Sequence, residues 1–214
     1  MSSIGDRYLK IKGSIPKDVL LVAVSKTRTV EEIKEAVLAG CRDFGENKAQ
    51  ELCKKYEELP DVNWHFIGRL QKNKVRMVVG KACLIHSVDS MDLALEIDKR
   101  AKNLGIVQDV LIQVNAAGEV QKGGVSVEDA KLLYKDITNT CHNICIKGFM
   151  QVAPETDDPE SIRCYFKQVA DLFREYKGEI LSMGMSGDYK VAIEEGADCI
   201  RIGSAIFGER DYSK

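Results

Sequence analysis

The sequence contains no hydrophobic run that approaches the roughly 20 apolar residues of a membrane-spanning helix. Its first residues also lack the apolar core of a secretory signal peptide. Positive charge is not in excess, because 31 basic residues face 33 acidic ones and leave a net charge of −2. No electrostatic field therefore draws the whole chain to nucleic acid or to anionic lipid. We expect a cytoplasmic protein that binds neither nucleic acid nor membrane.

A framework of paired cysteines is also lacking. The seven cysteines are an odd number and are scattered, and several fall in predicted strands or helices, as Cys83 and Cys199 do. This usage is typical of reduced, buried thiols in a cytosolic protein. The one cluster, Cys141-His142-Asn143-Ile144-Cys145, lacks the paired spacing of a zinc site. We therefore expect no bound metal.

No low-complexity segment or linker interrupts the chain, and its 214 residues are 44% hydrophobic and 30% charged, as is ordinary for a globular protein. Short apolar runs alternate with helical periodicity, which predicts eight strands, each followed by a helix. The predicted strands are 19–25, 41–44, 63–68, 83–87, 110–114, 144–150, 180–183 and 199–203. The pattern predicts an α/β fold, a single (β/α)8 TIM barrel that occupies residues 1–214 as one domain.

The alternative fold is a doubly wound open sheet. That fold would place a glycine-rich fingerprint after the first strand, but Ser25-Lys26-Thr27-Arg28-Thr29 contains no glycine. Thr29 instead resembles a helix N-cap, with Glu32 completing a capping box. The barrel is therefore favoured.

Lys26 stands where the most apolar stretch of the chain ends. Val19–Val24 is an uninterrupted apolar run, typical of a strand that is buried on both faces. An amine at the end of such a strand is partly desolvated, which favours the neutral, nucleophilic form of lysine. Its natural partner is an aldehyde or ketone, with which it forms a Schiff base. The alternative is a lysine that only marks the strand end and points to solvent.

The loops after the last two predicted strands have the composition of a phosphate site. One reads Met183-Gly184-Met185-Ser186-Gly187-Asp188 and the other Ile202-Gly203-Ser204-Ala205. Barrels of this kind frequently hold phosphate in these two loops. Each loop combines glycine with a serine hydroxyl and leads into a helix, where free N–H groups favour an anion. Either loop alone could be a turn with an N-cap serine, but together they predict phosphate binding.

Arg201 lies within the last predicted strand, two residues before Gly203, so the two share a face. If that face is the barrel interior, a guanidinium lies beneath the phosphate loops and needs an acceptor. The alternative is an ion pair with an acidic residue such as Glu46 or Asp43.

An amine, a phosphate site and a guanidinium together describe an aldehyde that carries a phosphate and a ring acceptor. Pyridoxal 5′-phosphate has these three features, with Lys26 forming the Schiff base and Arg201 facing the pyridine nitrogen. Arginine keeps its proton, since its pKa lies above about 12, so the ring nitrogen should stay neutral. The cofactor would then be a weak electron sink, suited to being held or at most to racemisation-like proton shifts.

The sequence resembles the pyridoxal-phosphate homeostasis proteins, and the resemblance runs from about residue 19 to the C-terminus. That family resembles the N-terminal barrel of alanine racemase but has a single domain, and it is regarded as a binding and homeostasis protein without established catalysis. The blocks that carry the resemblance are Ala23–Thr27, Phe44–Asn47, Trp64–Gly68, Leu70–Lys74, His86–Ser90, Leu181–Ser186, Arg201–Gly203 and Ile206–Gly208.

The resemblance implies a cofactor site in which Lys26 forms the Schiff base and Arg201 meets the ring nitrogen. It implies ring contacts from Asn47 and from His65 or Ile67, and phosphate contacts from Ser186, Gly203 and Ser204. Two features depart from the family: the leading segment is short, and Thr29 stands where a proline is common. Neither departure touches the cofactor residues.

Three functions are open at this stage. The first is a pyridoxal-phosphate carrier that buffers the cofactor and delivers it to apo-enzymes, as a monomer or weak homodimer. The second is an amino-acid racemase, which needs a second base; Tyr189 is a weak candidate for it. The third is a class I aldolase that uses Lys26 on a sugar phosphate, which leaves Arg201 without a purpose. We expect the carrier, not an enzyme.

Overall fold

Eight parallel strands close into one barrel in the computed structural model, which describes residues 2–209. Each strand pairs with its neighbours in chain order, and the first strand pairs with the last. The predicted (β/α)8 barrel is therefore confirmed. The strands are β1 (Leu20–Val24), β2 (Asp43–Glu46), β3 (Asn63–Phe66), β4 (Leu84–Val88), β5 (Gln108–Val114), β6 (Ile144–Gln151), β7 (Ile180–Ser182) and β8 (Cys199–Ile202).

The helices surround this barrel, and a helix follows every strand. They are α1 (Ile4–Lys12), α2 (Val30–Leu38), α3 (Ala49–Glu58), α4 (Val75–Val78), α5 (Met91–Leu104), α6 (Val127–Thr140), α7 (Arg163–Tyr176), α8 (Tyr189–Glu194) and α9 (Ser204–Phe207). Three short 3₁₀ segments lie at Lys72–Lys74, Val120–Lys122 and Pro159–Ile162. Among the residues described, no helix has the length and apolar character to cross a membrane.

The boundaries of α2 follow from local sequence chemistry. The Thr29 side chain accepts from the Glu32 N–H, and the Glu32 carboxylate accepts from the Thr29 N–H. This capping box satisfies two of the N–H groups that a helix start leaves unpaired. The same motif begins α1, with Ser3 and Asp6 in the two roles. Both helices therefore start at the residue that their sequences specify.

The second strand differs from its prediction. It covers Asp43–Glu46 rather than 41–44, because its register pairs Asp43 with Asn63 and Glu46 with Phe66. Sequence reasoning treated the charged Glu46 as part of a loop. The structure buries this side chain completely against α3, where it forms an ion pair with Lys55. The buried pair is what extends the strand past the position that composition suggests.

The helix that follows β3 is short. A 3₁₀ turn leads into α4, a single turn that ends at Val78. Val79 then adopts an extended conformation and forms an isolated bridge with Ala82. The chain therefore leaves the helix early to align β4.

Side chains alternate between the two faces of each strand. Trp64 and Phe66 point outward and pack against the helices, while His65 points into the barrel, as the alternation in β3 predicts. The apolar part of the interior is small, with Leu84, Leu111 and Met150 in one cluster. The rest of the interior carries polar side chains from β2, β3, β4, β7 and β8, and these lead to the candidate site.

Candidate functional site

A cavity of about 340 Å³ opens at the carboxyl ends of the strands. This is the end of a (β/α)8 barrel at which active sites are built. The cavity brings together five of the residues that the sequence predicts for the site, and these are Lys26, Ser186, Arg201, Gly203 and Ser204. The loop after β6 supplies another wall, at Pro154, Glu155 and Thr156, which the sequence indicated only as a turn-rich segment.

Lys26 reaches this cavity from the turn after β1. The pairing of β1 with β8 sets Val22 beside Arg201, so Lys26 emerges on the same side of the barrel, above the arginine. Its side chain is half-buried rather than extended into solvent. The alternative in which the lysine only marks the strand end is therefore not what the structure shows.

Two side chains of α3 hold the backbone on either side of Lys26. The Lys55 Nζ donates to the Ser25 carbonyl at 2.8 Å, and the Thr27 N–H donates to Glu51 Oε2 at 2.9 Å. Lys55 also forms an ion pair with Glu46 at 2.7 Å. Burial raises the pKa of the Glu46 carboxyl, while the Lys55 ammonium and the Ser25 hydroxyl oppose the shift. We call Glu46, Glu51 and Lys55 the α3 clamp.

The two predicted phosphate loops meet at the opposite side of the cavity. Ser204 Oγ lies 3.3 Å from Ser186 Oγ, so the hydroxyls of the two loops face the same space. Gly184 has a φ of 89°, and a Cβ there would approach Tyr189 Cα and Ala192 Cβ at 2.8 Å. This loop therefore requires glycine at position 184.

Asp188 is the N-cap residue of α8. It makes no side-chain cap to that helix, and its Oδ1 instead accepts from the Met185 N–H at 2.5 Å. Burial raises the pKa of this carboxyl, against the hydrogen bond from Met185 and the charge of Arg201. This hydrogen bond joins Asp188 to Met185 across the loop and so fixes the position of Ser186, which lies between these two residues.

Two glycines in these loops lie beside space that no other atom of the described residues fills. A Cβ at Gly187 would meet nothing within 4 Å, and one at Gly203 would make only ordinary contacts, the nearest at 3.5 Å to Val24. Neither residue has a positive φ that demands glycine. The open space beside Ser186 and Ser204 is what an anion cradled by backbone N–H groups needs.

Arg201 is a buried cation whose hydrogen-bond partners are neutral. Its Nη1 donates to Ser182 Oγ at 2.6 Å and its Nη2 donates to the Gln151 carbonyl at 2.7 Å. Within residues 2–209 it makes no salt bridge, so the alternative ion pair with Glu46 or Asp43 is not formed. Burial lowers the pKa of the guanidinium. Since arginine stays charged in proteins, its remaining donors call for an acceptor in the cavity.

The three predicted ring contacts lie outside this cavity. Asn47 follows β2 at the same mouth, and its Oδ1 is buried without a hydrogen-bond partner among the residues described. A Cβ at Gly68 would collide with the Asn47 carbonyl, so the two loops pack tightly there. Ile67 lies beside Gly45 in the interior, and His65 lies deeper, with both ring nitrogens already bonded. Direct ring contact by these residues stays a prediction.

A chain of hydrogen bonds crosses the barrel interior below Arg201. His65 Nε2 lies 3.2 Å from Asp43 Oδ1, His65 Nδ1 lies 3.0 Å from His86 Nε2, and His86 Nδ1 lies 3.0 Å from Ser182 Oγ. Ser182 in turn accepts from Arg201. Sequence reasoning missed His86 and Ser182 as functional residues. The signal that could have identified them is that each is a polar residue at an inward-facing position of a mostly apolar strand.

The two histidines have opposite pKa shifts. Burial alone would lower the pKa of His65, but its hydrogen bonds to Asp43 and Cys83 raise the pKa to about 9. Burial lowers the pKa of His86 well below its ordinary value, and the charges of His65 and Arg201 lower it further. The pair therefore carries one proton more readily on His65 than on His86.

Comparison with known proteins places this geometry in a family. The alanine racemase N-terminal domain model matches residues 1–211. A pyridoxal phosphate homeostasis protein of Aquifex aeolicus is 48% identical over 200 residues, which cover 90% of this chain and 87% of that protein. The chain belongs to the family of pyridoxal phosphate homeostasis proteins. The resemblance that the sequence motifs indicate is thus confirmed.

Solved structures agree with this membership. PipY of Synechococcus elongatus PCC7942, solved with PLP bound, is 35% identical, with a TM-score of 0.88 over 96% of this chain and all of that one. Alanine racemase of Clostridium difficile 630 is 15% identical with a TM-score of 0.80 and shares the fold, but this chain covers only 56% of it. The relatives from Aquifex aeolicus and Helicobacter pylori are both named for pyridoxal phosphate homeostasis, and that name specifies no reaction.

Proposed function

We propose that this protein binds pyridoxal 5′-phosphate reversibly through a Schiff base at Lys26 and serves the homeostasis of that cofactor without catalysing a reaction. The observation that carries the proposal is the shared cavity of Lys26 and Arg201. It holds the half-buried side chain of Lys26 together with the buried guanidinium of Arg201, which forms no salt bridge within residues 2–209. Relatives named for pyridoxal phosphate homeostasis, and PipY solved with PLP bound, support the same conclusion.

The residues present fit the cofactor at each of its functional groups. When bound, pyridoxal phosphate supplies an aldehyde that condenses with a lysine amine. Arg201 would donate to the ring nitrogen, and because a guanidinium keeps its own proton, that nitrogen would stay unprotonated. Ser186, Ser204 and the backbone around Gly203 bind the phosphate from the opposite wall. Asn47 offers a buried Oδ1 at the same mouth, to which no group of residues 2–209 donates.

Several finer statements belong to this proposal. The whole chain, residues 1–214, forms one domain, of which residue 1 and residues 210–214 lie outside the described range. The protein works in the cytoplasm, as a monomer or a weak homodimer, and passes its cofactor to apo-enzymes. The openness of the cavity to solvent supports exchange, since an exchanging carrier needs a path for release.

The decisive experiment is absorption spectroscopy of the purified protein titrated with pyridoxal phosphate. We expect a visible band that saturates at one equivalent in the wild type and is absent in Lys26→Ala. Lys72→Ala is the matched control, because Lys72 is an exposed lysine at the same end of the barrel, paired with Asp92. A band of equal strength in Lys26→Ala would refute the proposal.

A second measurement separates the carrier from a racemase. The holoprotein is incubated with single-enantiomer amino acids and optical rotation is followed. We expect rotation to stay constant, because the cavity walls include no tyrosine poised as a second base among the residues described. Loss of rotation that depends on Lys26 would establish a racemase instead.

A further inference from the structure

We propose that Ser182, His86 and His65 form a relay that positions Arg201, and that every hydrogen bond between them reverses direction when His65 binds a proton. The link to cofactor binding rests on the proposed function. The relay itself is a property of the protein alone. It runs from Asp43 near the amino-terminal mouth, where the carboxylate is 21% exposed, to Arg201 beneath the cavity.

The direction of each bond follows from Asp43 and Arg201, which have fixed roles at the two ends. An ionised carboxylate only accepts and a guanidinium only donates. When His65 is neutral, its Nε2–H must donate to Asp43, which leaves Nδ1 bare. His86 then donates from Nε2 to His65, and its bare Nδ1 accepts from the Ser182 hydroxyl. Ser182 meanwhile accepts from Arg201, so all five residues are satisfied in a single direction.

Protonation of His65 reverses the inner bonds. Both ring nitrogens of His65 now donate, one to Asp43 and the other to His86 Nε2. His86 stays neutral, so its proton moves to Nδ1 and is donated to Ser182 Oγ. Ser182 then accepts from both His86 and Arg201, and its own proton turns to the neighbouring Cys199 thiol. A single proton on His65 thus changes the tautomer of His86 and the direction in which the Ser182 hydroxyl, the acceptor for Arg201, points its own proton.

Few other charges face the relay. Asp43 from β2 and Cys83 before β4 face His65, and Asn63 also donates to Asp43 at 3.0 Å. Arg201 and Cys199 from β8 face His86 and Ser182. His65 therefore has the Asp43 carboxylate to stabilise its charge, while the charges that act on His86 are those of His65 and Arg201. The proton is accordingly held on His65, and His86 responds by changing tautomer.

Nitrogen-15 NMR of histidine in the apoprotein tests the reversal without any cofactor. The chain has three histidines, and His142 is exposed, so His142→Gln leaves only the two relay rings to assign. Spectra are recorded from about pH 6 to about pH 10, the range around a perturbed histidine. We expect His65 to titrate near pH 9. His86 should remain neutral and change from the Nδ1–H to the Nε2–H tautomer at the same midpoint.

Asp43→Asn provides the matched variant, because it removes the charge that stabilises His65 and keeps an oxygen acceptor. Both transitions should move together to lower pH by more than about one unit. A His86 tautomer that stays constant while His65 titrates overturns the relay. A His65 that keeps one protonation state across the range overturns it as well.

The positioning of Arg201 is tested in the holoprotein with Ser182→Ala. We expect the absorption maximum of the bound cofactor to shift and its dissociation constant to rise roughly tenfold, since a guanidinium loses its acceptor. Ser87→Ala is the control, because Ser87 is an equally buried serine on β4 without a hydrogen-bond partner among the described residues. Equal spectra for the two variants overturn the positioning role. The proposed function fails separately, through Lys26→Ala.

Discussion

At the scale of single residues, Thr27 is the clearest sign that the turn after β1 is built for a purpose. Its φ is 66°, a left-handed conformation that a β-branched residue rarely adopts. Its N–H is held by Glu51, and it directly follows Lys26. Strain of this kind costs on the order of 1–3 kcal/mol and persists where surrounding contacts impose it. The strained turn fixes the direction in which Lys26 leaves the barrel.

We predict that Thr27→Gly weakens cofactor binding while leaving the protein at least as stable. Glycine accepts the positive φ, so relief of strain offsets its entropic cost of about 0.5–1 kcal/mol. The freed turn, however, no longer directs the lysine. The measurements are urea unfolding and a cofactor titration.

Lys177→Gly is the matched control for this prediction. Lys177 is the other non-glycine residue with a positive φ within residues 2–209, at 49°, and it ends α7 away from the cavity. The same relief of strain should raise its stability without changing cofactor affinity. If Thr27→Gly bound the cofactor as tightly as Lys177→Gly does, the strained turn would have no role in the site.

The residues that sequence reasoning identified best were those whose chemistry is unusual for their position. A lysine at the end of an apolar strand and an arginine inside another were both placed correctly in the cavity. His65 shows the limit of this reasoning. The resemblance implies a ring contact for it, but only the three-dimensional structure shows that Asp43 and His86 already occupy both ring nitrogens.

At the scale of elements, the α3 clamp couples one helix to the site. Lys55 and Glu46 are both almost fully buried, so removing one partner leaves a charge in a low-dielectric environment. We predict that Lys55→Met lowers the free energy of unfolding by about 3 kcal/mol. The double variant Glu46→Leu with Lys55→Met should recover much of this loss, because neither charge remains. Urea unfolding of both single variants and the double variant gives the coupling energy.

Among these variants of Glu46 and Lys55, we expect cofactor affinity not to change in parallel with the free energy of unfolding. The double variant lacks the Lys55 bond to the Ser25 carbonyl, so its affinity should stay below that of the wild type even where stability returns. If the double variant recovered both the stability and the cofactor affinity of the wild type, the α3 clamp would contribute to packing and not to cofactor binding.

The phosphate loops are the second pair of elements with a separable role. We predict that Ser186→Ala with Ser204→Ala weakens cofactor retention about tenfold or more, since each hydroxyl bonded to a charged group contributes about 1.5–3 kcal/mol. The visible band of the Lys26 linkage should persist at saturating cofactor. Retention is measured by gel filtration of the loaded protein, with the exposed Ser161→Ala as control. Unchanged retention would contradict the phosphate assignment.

Element boundaries were predicted less well than element order. The alternation of strands and helices was enough to identify the barrel, because hydrophobic periodicity is a local property of the sequence. The shift of β2 and the short length of α4 depend on partners distant in sequence, such as Lys55 for Glu46 and Ala82 for Val79. Local patterns carry no information about such pairings.

At the scale of the whole molecule, the relay predicts how global stability depends on pH. His65 has a pKa of about 9 in the folded protein against an ordinary value of 6.5, so the folded state binds its proton more tightly. The stabilisation is therefore complete below about pH 6.5 and is lost as the pH rises through about 9. The full effect is about 3 kcal/mol, at roughly 1.4 kcal/mol for each pH unit between the two values.

Other groups change stability mainly outside this window, and the lowered pKa of His86 adds stability only as the pH rises through its ordinary value of 6.5. Burial raises the pKa of Asp198 from 3.8 to about 6. The stability linked to that carboxyl is therefore lost as the pH rises through about 6, before the window begins. Burial raises the pKa of Tyr8 and of Cys41 to about 12, and these groups reduce stability only above their ordinary values of 10.0 and 9.0. Between about pH 6.5 and 9, the slope of stability against pH should therefore report on His65.

We predict that the free energy of unfolding falls across this window in the wild type and falls less in Asp43→Asn, which lacks the carboxylate that contributes most to raising the pKa of His65. The measurement is urea unfolding at a series of pH values with constant salt. His142→Gln should keep the wild-type slope, because His142 is exposed and lies outside the relay. A wild-type slope in Asp43→Asn would mean that Asp43 does not hold the proton on His65. The relay would then lack the fixed acceptor at its Asp43 end, and the reversal of its hydrogen bonds depends on a fixed acceptor at one end and a fixed donor at the other.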